Sequence, residues 1–231
     1  QGGFGAFTDT FQDLQQLRQL PGLAVQDLMR KGIGFGAEGD WKLAALGRVM
    51  KVMGEGLPGG TAFMEDYSYH MDPANEGILG AHMLEVDPVL AADKPRIEVH
   101  QLGIGGKEDP ARLCFNTGPG HAIVATLVDM GDHFRMIVND VEACAPFKDM
   151  PKLPVARVMW KPLPSLSTSA EAWIMAGGAH HTVLSYQLDA EHMRDFCNIM
   201  GIEFIHIGRN TDLEQLDKEL MWNDLIFKFK H

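Results

Sequence analysis

The stretch Gly54-Glu55-Gly56-Leu57-Pro58-Gly59-Gly60 divides the chain into two textures. Four glycines and a proline within seven residues break any helix or strand, so the segment reads as a hinge or domain boundary. Before it, apolar residues recur at helical spacing. Phe11 to Lys31 carries Leu14, Leu17 and Leu20 at intervals of three until Pro21-Gly22 interrupts, and Leu23 to Met29 predicts a second short helix. Asp40 is placed to cap a helix over Trp41 to Met53. After the boundary, short apolar runs follow one another between glycine turns. They cover Thr61 to Tyr69, Gly80 to Val86, Arg96 to Leu102, Ala111 to Phe115, Ala122 to Met130, Phe134 to Val141 and Arg157 to Trp160. That rhythm predicts antiparallel β-structure, as a barrel or a sandwich. Ser169 opens a stretch that runs into Gly177-Gly178-Ala179-His180-His181-Thr182. A helix over Ala190 to Met200, a strand over Glu203 to Ile207 and a helix over Asp212 to Trp222 complete the chain.

Charge excludes whole classes of partner. Twenty basic against 31 acidic side chains give a net charge of -11, which repels nucleic acid and anionic membrane surfaces and suits a neutral ligand or a cation. Apolar residues make up 45% of the 231, enough for a real core. No apolar run approaches the roughly 20 residues that span a bilayer. Cys114, Cys144 and Cys197 lack CxxC spacing and are expected as free thiols in a reducing compartment, which points to the cytoplasm. No secretory signal is visible, and the opening Gln1-Gly2-Gly3 reads as though cut from something longer.

Four places hold residues suited to chemistry. Glu38 lies in Gly32-Ile33-Gly34-Phe35-Gly36-Ala37-Glu38-Gly39-Asp40, where the glycines predict a backbone that bends sharply or approaches a ligand closely. Glu65 lies among large apolar and aromatic groups, where a carboxylate is costly to bury unless paired or bound to a metal. Strand alternation there would put Phe63, Glu65 and Tyr67 on one face. His82 sits between small and apolar residues, and His180 or His181 follows two glycines and an alanine that clear space around imidazoles. Each also has an ordinary reading, as a solvated acid or a satisfied core histidine. Together they form an oxygen and nitrogen donor set without thiolate, which suits Mn²⁺ or Co²⁺ better than structural zinc. Gly103-Ile104-Gly105-Gly106-Lys107 lacks phosphate-loop spacing and is assigned a structural role.

The strings Gly34-Phe35-Gly36-Ala37-Glu38-Gly39-Asp40-Trp41-Lys42, Phe63-Met64-Glu65-Asp66-Tyr67-Ser68-Tyr69-His70 and Leu79-Gly80-Ala81-His82-Met83-Leu84-Glu85-Val86 resemble the L-arabinose isomerase family. So do Leu102 to Lys107, Pro151 to Ala156 and Glu171 through Thr182, in one order along nearly the whole chain. The resemblance implies that residues 1–60 are the tail of a central α/β domain and 61–231 an antiparallel β-barrel-like C-terminal domain with flanking helices. It implies a manganese ion held by Glu38, Glu65, His82 and His181, with Co²⁺ as a substitute, and the two glutamates as the acid and base. It also puts Phe11 and Met83 against a small sugar substrate. The implied reaction interconverts L-arabinose and L-ribulose, and by extension D-galactose and D-tagatose, through an enediol. Family members are about twice as long, so the implied partners are further copies in a homo-oligomer or a complementary N-terminal chain. The competing expectation is a metal-binding fragment without turnover by itself.

Overall fold

The computed structural model describes residues 2–229. Its first part is a small α/β unit. Strand β1 (Ala6–Thr8) leads through α1 (Gly22–Arg30) to β2 (Gly34–Gly36), which pairs with β1 in parallel. Helix α2 (Trp41–Met53) follows, with the bounds its sequence predicts, and the Asp40 side chain accepts a hydrogen bond from the Leu43 amide as its cap. Residues 11–20 form turns rather than the predicted helix. Asp13 and Gln15 have φ of 55° and 45°, left-handed values that no right-handed helix contains.

The remaining strands are β3 (Thr61–His70), β4 (Gly77–Ala81), β5 (Arg96–Val99), β6 (Ala111–Cys114), β7 (Gly120–Asp129), β8 (Phe134–Cys144), β9 (Arg157–Pro162), β10 (His181–Ser185) and β11 (Glu203–Ile207). Seven of them form one sheet in the order β11-β8-β7-β10-β3-β4-β9. Strand β8 also pairs with β9, so six antiparallel strands close into a ring. Strand β11 joins β8 in parallel, which makes the sheet mixed rather than purely antiparallel. Strands β5 and β6 form a separate hairpin.

Alternation assigns the two faces of the ring. Ala62, Met64, Val124, Leu184 and Trp160 pack together on one face, inside the ring. Phe63, Ile123, Met136 and Val183 face outward and pack with Leu43, Leu46 and Met50 of α2 and with Met193 and Cys197 of α4 (Ala190–Met200). Helices α3 (Leu166–Met175) and α5 (Leu213–Phe229) cover Ile137, Ile205 and Ile207. Helix α3 replaces the stretch read as opening at Ser169, because Ser165 caps it by accepting from the Thr168 amide. Helix α5 runs seven residues past the predicted end at Trp222.

Two departures shape the site. Strand β4 ends at Ala81 instead of continuing to Val86, because the Glu85 carboxylate accepts from both His82 Nδ1 and the Leu84 amide and folds the chain into a turn. Alternation in β3 fails after Asp66, where an irregularity in pairing with β4 intervenes before Ser68, so Tyr67 does not continue the Phe63–Glu65 face.

Candidate metal centre

Sheet register brings the distant sequence segments together. His181 on β10 pairs with Glu65 on β3, and Glu65 pairs with Ala81 on β4, forming one row across three strands. His82 follows Ala81 directly. Glu38 arrives from the other side, on the turn between β2 and α2. Its φ is 59° and that of Gly39 is 83°, so a non-glycine residue is held in the left-handed region where it projects toward the strands.

The glycines around Glu38 serve backbone contact. A Cβ at Gly34 would lie 2.2 Å from the Ala44 carbonyl oxygen, and one at Gly36 would lie 2.2 Å from the Asp40 carbonyl oxygen. Strand β2 therefore lies directly on the start of α2, and that packing fixes the turn. Gly178 acts likewise. Its Cβ would meet the Trp173 indole nitrogen at 2.2 Å, so Gly178 makes room for Trp173 rather than for the imidazoles, while Gly177 serves the backbone with a φ of 81°.

One donor atom each from Glu38, His82 and His181 lies within 4.8 Å of the others, and Glu65, His180 and His181 form a second such group. His181 belongs to both. Its Nε2 is 3.9 Å from a Glu38 carboxylate oxygen, while His180 Nε2 is 3.7 Å from Glu65. The two adjacent histidines therefore both stay beside the site, with ring centroids 4.4 Å apart, rather than pointing to opposite sides of a strand. His82 and His181 are buried, at 1% and 6% exposure, whereas the His180 side chain is 65% exposed.

The buried pair has the hydrogen bonding of metal ligands. His82 Nδ1 is held by Glu85 and His181 Nδ1 by Asp40, at 2.5 and 3.1 Å. Each carboxylate accepts from Nδ1–H, which leaves the Nε2 lone pair free. Both Nε2 atoms are buried without a hydrogen-bond partner among the described residues. Two orphaned imidazole nitrogens beside a carboxylate fit a divalent cation that accepts oxygen and nitrogen donors. Phe63 supports both rings edge to face, with centroids 5.2 Å from each. Burial disfavours the His82 cation, but the Glu85 hydrogen bond and charge outweigh it, and the net shift is upward. At Asp40 burial is likewise outweighed, by hydrogen bonds from His181 and the Leu43 amide, and its carboxyl lies below the usual range.

Sequence reasoning missed Glu85, Asp40 and Asp9. The His-x-x-Glu spacing of His82 and Glu85 was the available signal for the first. Asp40 was legible as a helix cap, and its second oxygen does the other work. Asp9 is half-buried after β1, and its carbonyl accepts from the Gly39 amide. Burial, with the charges of Glu85 and Glu38, raises its pKa to about 7. Of the two residues expected against a sugar, Phe11 is half-buried in the turns after β1, with its carbonyl oxygen against Gly105. Met83 is half-buried in the turn that carries His82.

The Asp9 shift has a measurable consequence. A carboxyl that keeps its proton to about pH 7 when folded, but only to about 3.8 when unfolded, makes the metal-free chain lose stability as pH rises between those values. Asp9→Asn removes that loss. In EDTA, the variant should match wild type below pH 4 and exceed it above pH 7 by on the order of 1–2 kcal/mol, after allowance for solvent screening. Denaturant midpoints across the pH range check this; equal differences at pH 4 and pH 8 would refute it.

Among the described residues, Cys114, Cys144 and Cys197 are all free thiols, Cys144 the least buried of them, and no helix is long and apolar enough to cross a membrane. Residues 60–203 match the sequence profile of the L-arabinose isomerase C-terminal domain, and residues 1–56 match that of the L-arabinose isomerase central domain. The chain is 60% identical over 227 residues to an L-arabinose isomerase of Geobacillus stearothermophilus, covering 98% of this chain and 45% of that protein. It is 58% identical to those of Aeromonas salmonicida and Bacillus subtilis strain 168, covering 100% of this chain and 46% of each. The chain thus spans about half the length of these relatives, and over that half its sequence, from the glycine-packed turn of Glu38 to the paired histidines, makes it a member of the L-arabinose isomerase family.

Proposed function

We propose that this chain carries the metal centre of an aldose–ketose isomerase acting on L-arabinose and L-ribulose, and on D-galactose and D-tagatose. The observation that carries the reading is the pair of buried, unpartnered Nε2 atoms of His82 and His181 facing Glu38, with Glu65 in the adjacent strand row. In this reading Glu38, Glu65, His82 and His181 hold Mn²⁺, or Co²⁺ in its place. A bound divalent ion supplies Lewis-acid stabilisation of charge on the oxygens of an open-chain sugar. The domain boundary falls at 54–60, and the ring of strands in 61–231 is the barrel of the C-terminal domain.

The protein's own groups move the protons. One glutamate takes the proton from C2 while O1 gains a proton, giving an enediol. That proton is then delivered to C1 as O2 loses its own, leaving the carbonyl at C2. Glu65 is suited to this exchange because its side chain is largely shielded yet lies beside the exposed His180. Phe11 and Met83 border the sugar. The free thiols favour the cytoplasm. The exposed face of α5, with Met221, Trp222, Leu225, Ile226 and Phe229, supports assembly into a homo-oligomer or with a chain supplying the N-terminal half.

The test is ketose formation from L-arabinose by the chain, with Mn²⁺ and with EDTA. Turnover should require the metal, and Glu65→Gln should lower it by about 10²-fold or more. Full turnover in Glu65→Gln removes Glu65 from the chemistry. A specific observation supports the second reading, a metal-binding piece without turnover. The Glu38 side chain is 41% exposed, and the chain spans 45% of its relatives' length. Metal uptake without ketose formation selects that reading.

A further inference from the structure

Arg112 on β6 is a guanidinium with 2% exposure and no carboxylate within 4 Å among the described residues. Its Nη1 donates to the Met83 carbonyl at 3.3 Å and its Nη2 to the His100 carbonyl at 2.7 Å. Its Nε is buried without a hydrogen-bond partner among the described residues. A buried charge lacking a close counter-ion is expensive, and an apolar replacement of similar size commonly stabilises a fold. Stability alone therefore does not account for arginine here. The residues it touches suggest what does. Met83 lies between His82 and Glu85, in the turn that aims the His82 ring. Glu85 is itself buried, at 2% exposure, and its carboxylate holds both His82 Nδ1 and the Leu84 amide in that turn. Burial lowers the Arg112 pKa, whereas the neighbouring Glu85 and Glu98 charges favour its charged form.

We propose that Arg112 is a positioning residue for the metal centre: it pins the His82–Glu85 turn through the Met83 carbonyl and ties it to the His100 carbonyl beyond β5. The inference rests on the metal reading above. It links Arg112 to the site through the backbone of Met83, the residue next to His82. Glu98 sits opposite it in the β5–β6 register but is hydrogen-bonded to Arg96 and His100 and makes no ion pair with Arg112 among the described residues.

Arg112→Met and Arg112→Lys separate positioning from simple structural support. Mn²⁺ affinity is measured by calorimetry and by the electron paramagnetic resonance signal of free Mn²⁺. The melting temperature is recorded in EDTA. Arg112→Met should weaken Mn²⁺ binding about 10-fold or more, within the range for groups that orient metal ligands. Its metal-free melting temperature should equal or exceed that of wild type. Arg112→Lys, which keeps the charge but not the fork, should recover part of the affinity. Wild-type affinity in a folded Arg112→Met overturns the proposal. If Arg112→Met fails to fold, wild-type affinity in Arg112→Lys overturns it instead, and weakened binding there supports it. A wild-type chain that takes up no Mn²⁺ overturns the metal reading itself, and this inference with it.

Discussion

His181→Ala should abolish Mn²⁺ binding, weakening it by at least about 10³-fold, well beyond the 10- to 100-fold expected for a residue that only orients a ligand. The reason lies in its place in the sheet. His181 is the residue common to both donor groups, so its removal takes a ligand atom from Glu38 and His82 on one side and from Glu65 and His180 on the other. It also leaves Asp40 without its histidine partner. The stabilisation that Mn²⁺ gives to folding should vanish with it. A ligand at 100 times its Kd raises stability by about 2.7 kcal/mol, so the shift of melting temperature with added Mn²⁺ is a direct readout. His180→Ala is the control. Its side chain is mostly exposed and its nearest carboxylate is 3.7 Å away, so most of the shift should survive. A His181→Ala chain that still melts higher with Mn²⁺ would show that the ion is held elsewhere.

Elements whose signals are local were legible in the sequence. Helix α2 was readable from the cap at Asp40 to Met53, and α4 and β11 fall where the apolar pattern puts them. The Leu14-Leu17-Leu20 spacing misled because φ at Asp13 and Gln15 overrides apolar periodicity, and no pattern of side-chain polarity reports φ. At His82 the strand pattern continued, yet one carboxylate three residues on accepted from both the ring and the backbone and ended the strand. The candidate site was legible as residue types but not as an arrangement. Nothing local says that His181 lies opposite Glu65 and Glu65 opposite Ala81; the first of these is a register between strands far apart in the sequence. The partners Glu85 and Asp40 were hidden for a related reason. Asp40 has a local role, in a cap, that accounts for it before its contact with the distant His181 is known, and the turn accounts for Glu85 although His82 is only three residues away.

Gly36→Ala should be strongly destabilising, costing more than the roughly 1–3 kcal/mol of ordinary overpacking. The added Cβ would lie 2.2 Å from the Asp40 carbonyl oxygen and 2.7 Å from the Ala44 amide nitrogen. Both are backbone atoms at the start of α2, so no side-chain rotation relieves the clash, and β2 must move off the helix. That movement reaches the core, because Phe35 sits between Phe7 and Phe63 with centroids 5.2 and 5.3 Å away. It also reaches the site, because Glu38 and Asp40 lie on the turn that joins β2 to α2. Gly39→Ala makes the contrast. Gly39 has φ of 83°, but a methyl added there would meet no atom within 4 Å. Only backbone strain opposes that change, about 1 kcal/mol. Denaturant midpoints should fall far more for Gly36→Ala than for Gly39→Ala, and whatever folded Gly36→Ala remains should bind Mn²⁺ more weakly. Equal midpoints for the two variants would mean that close packing of β2 on α2 does not hold this turn, and that the left-handed backbone of Glu38 and Gly39 does.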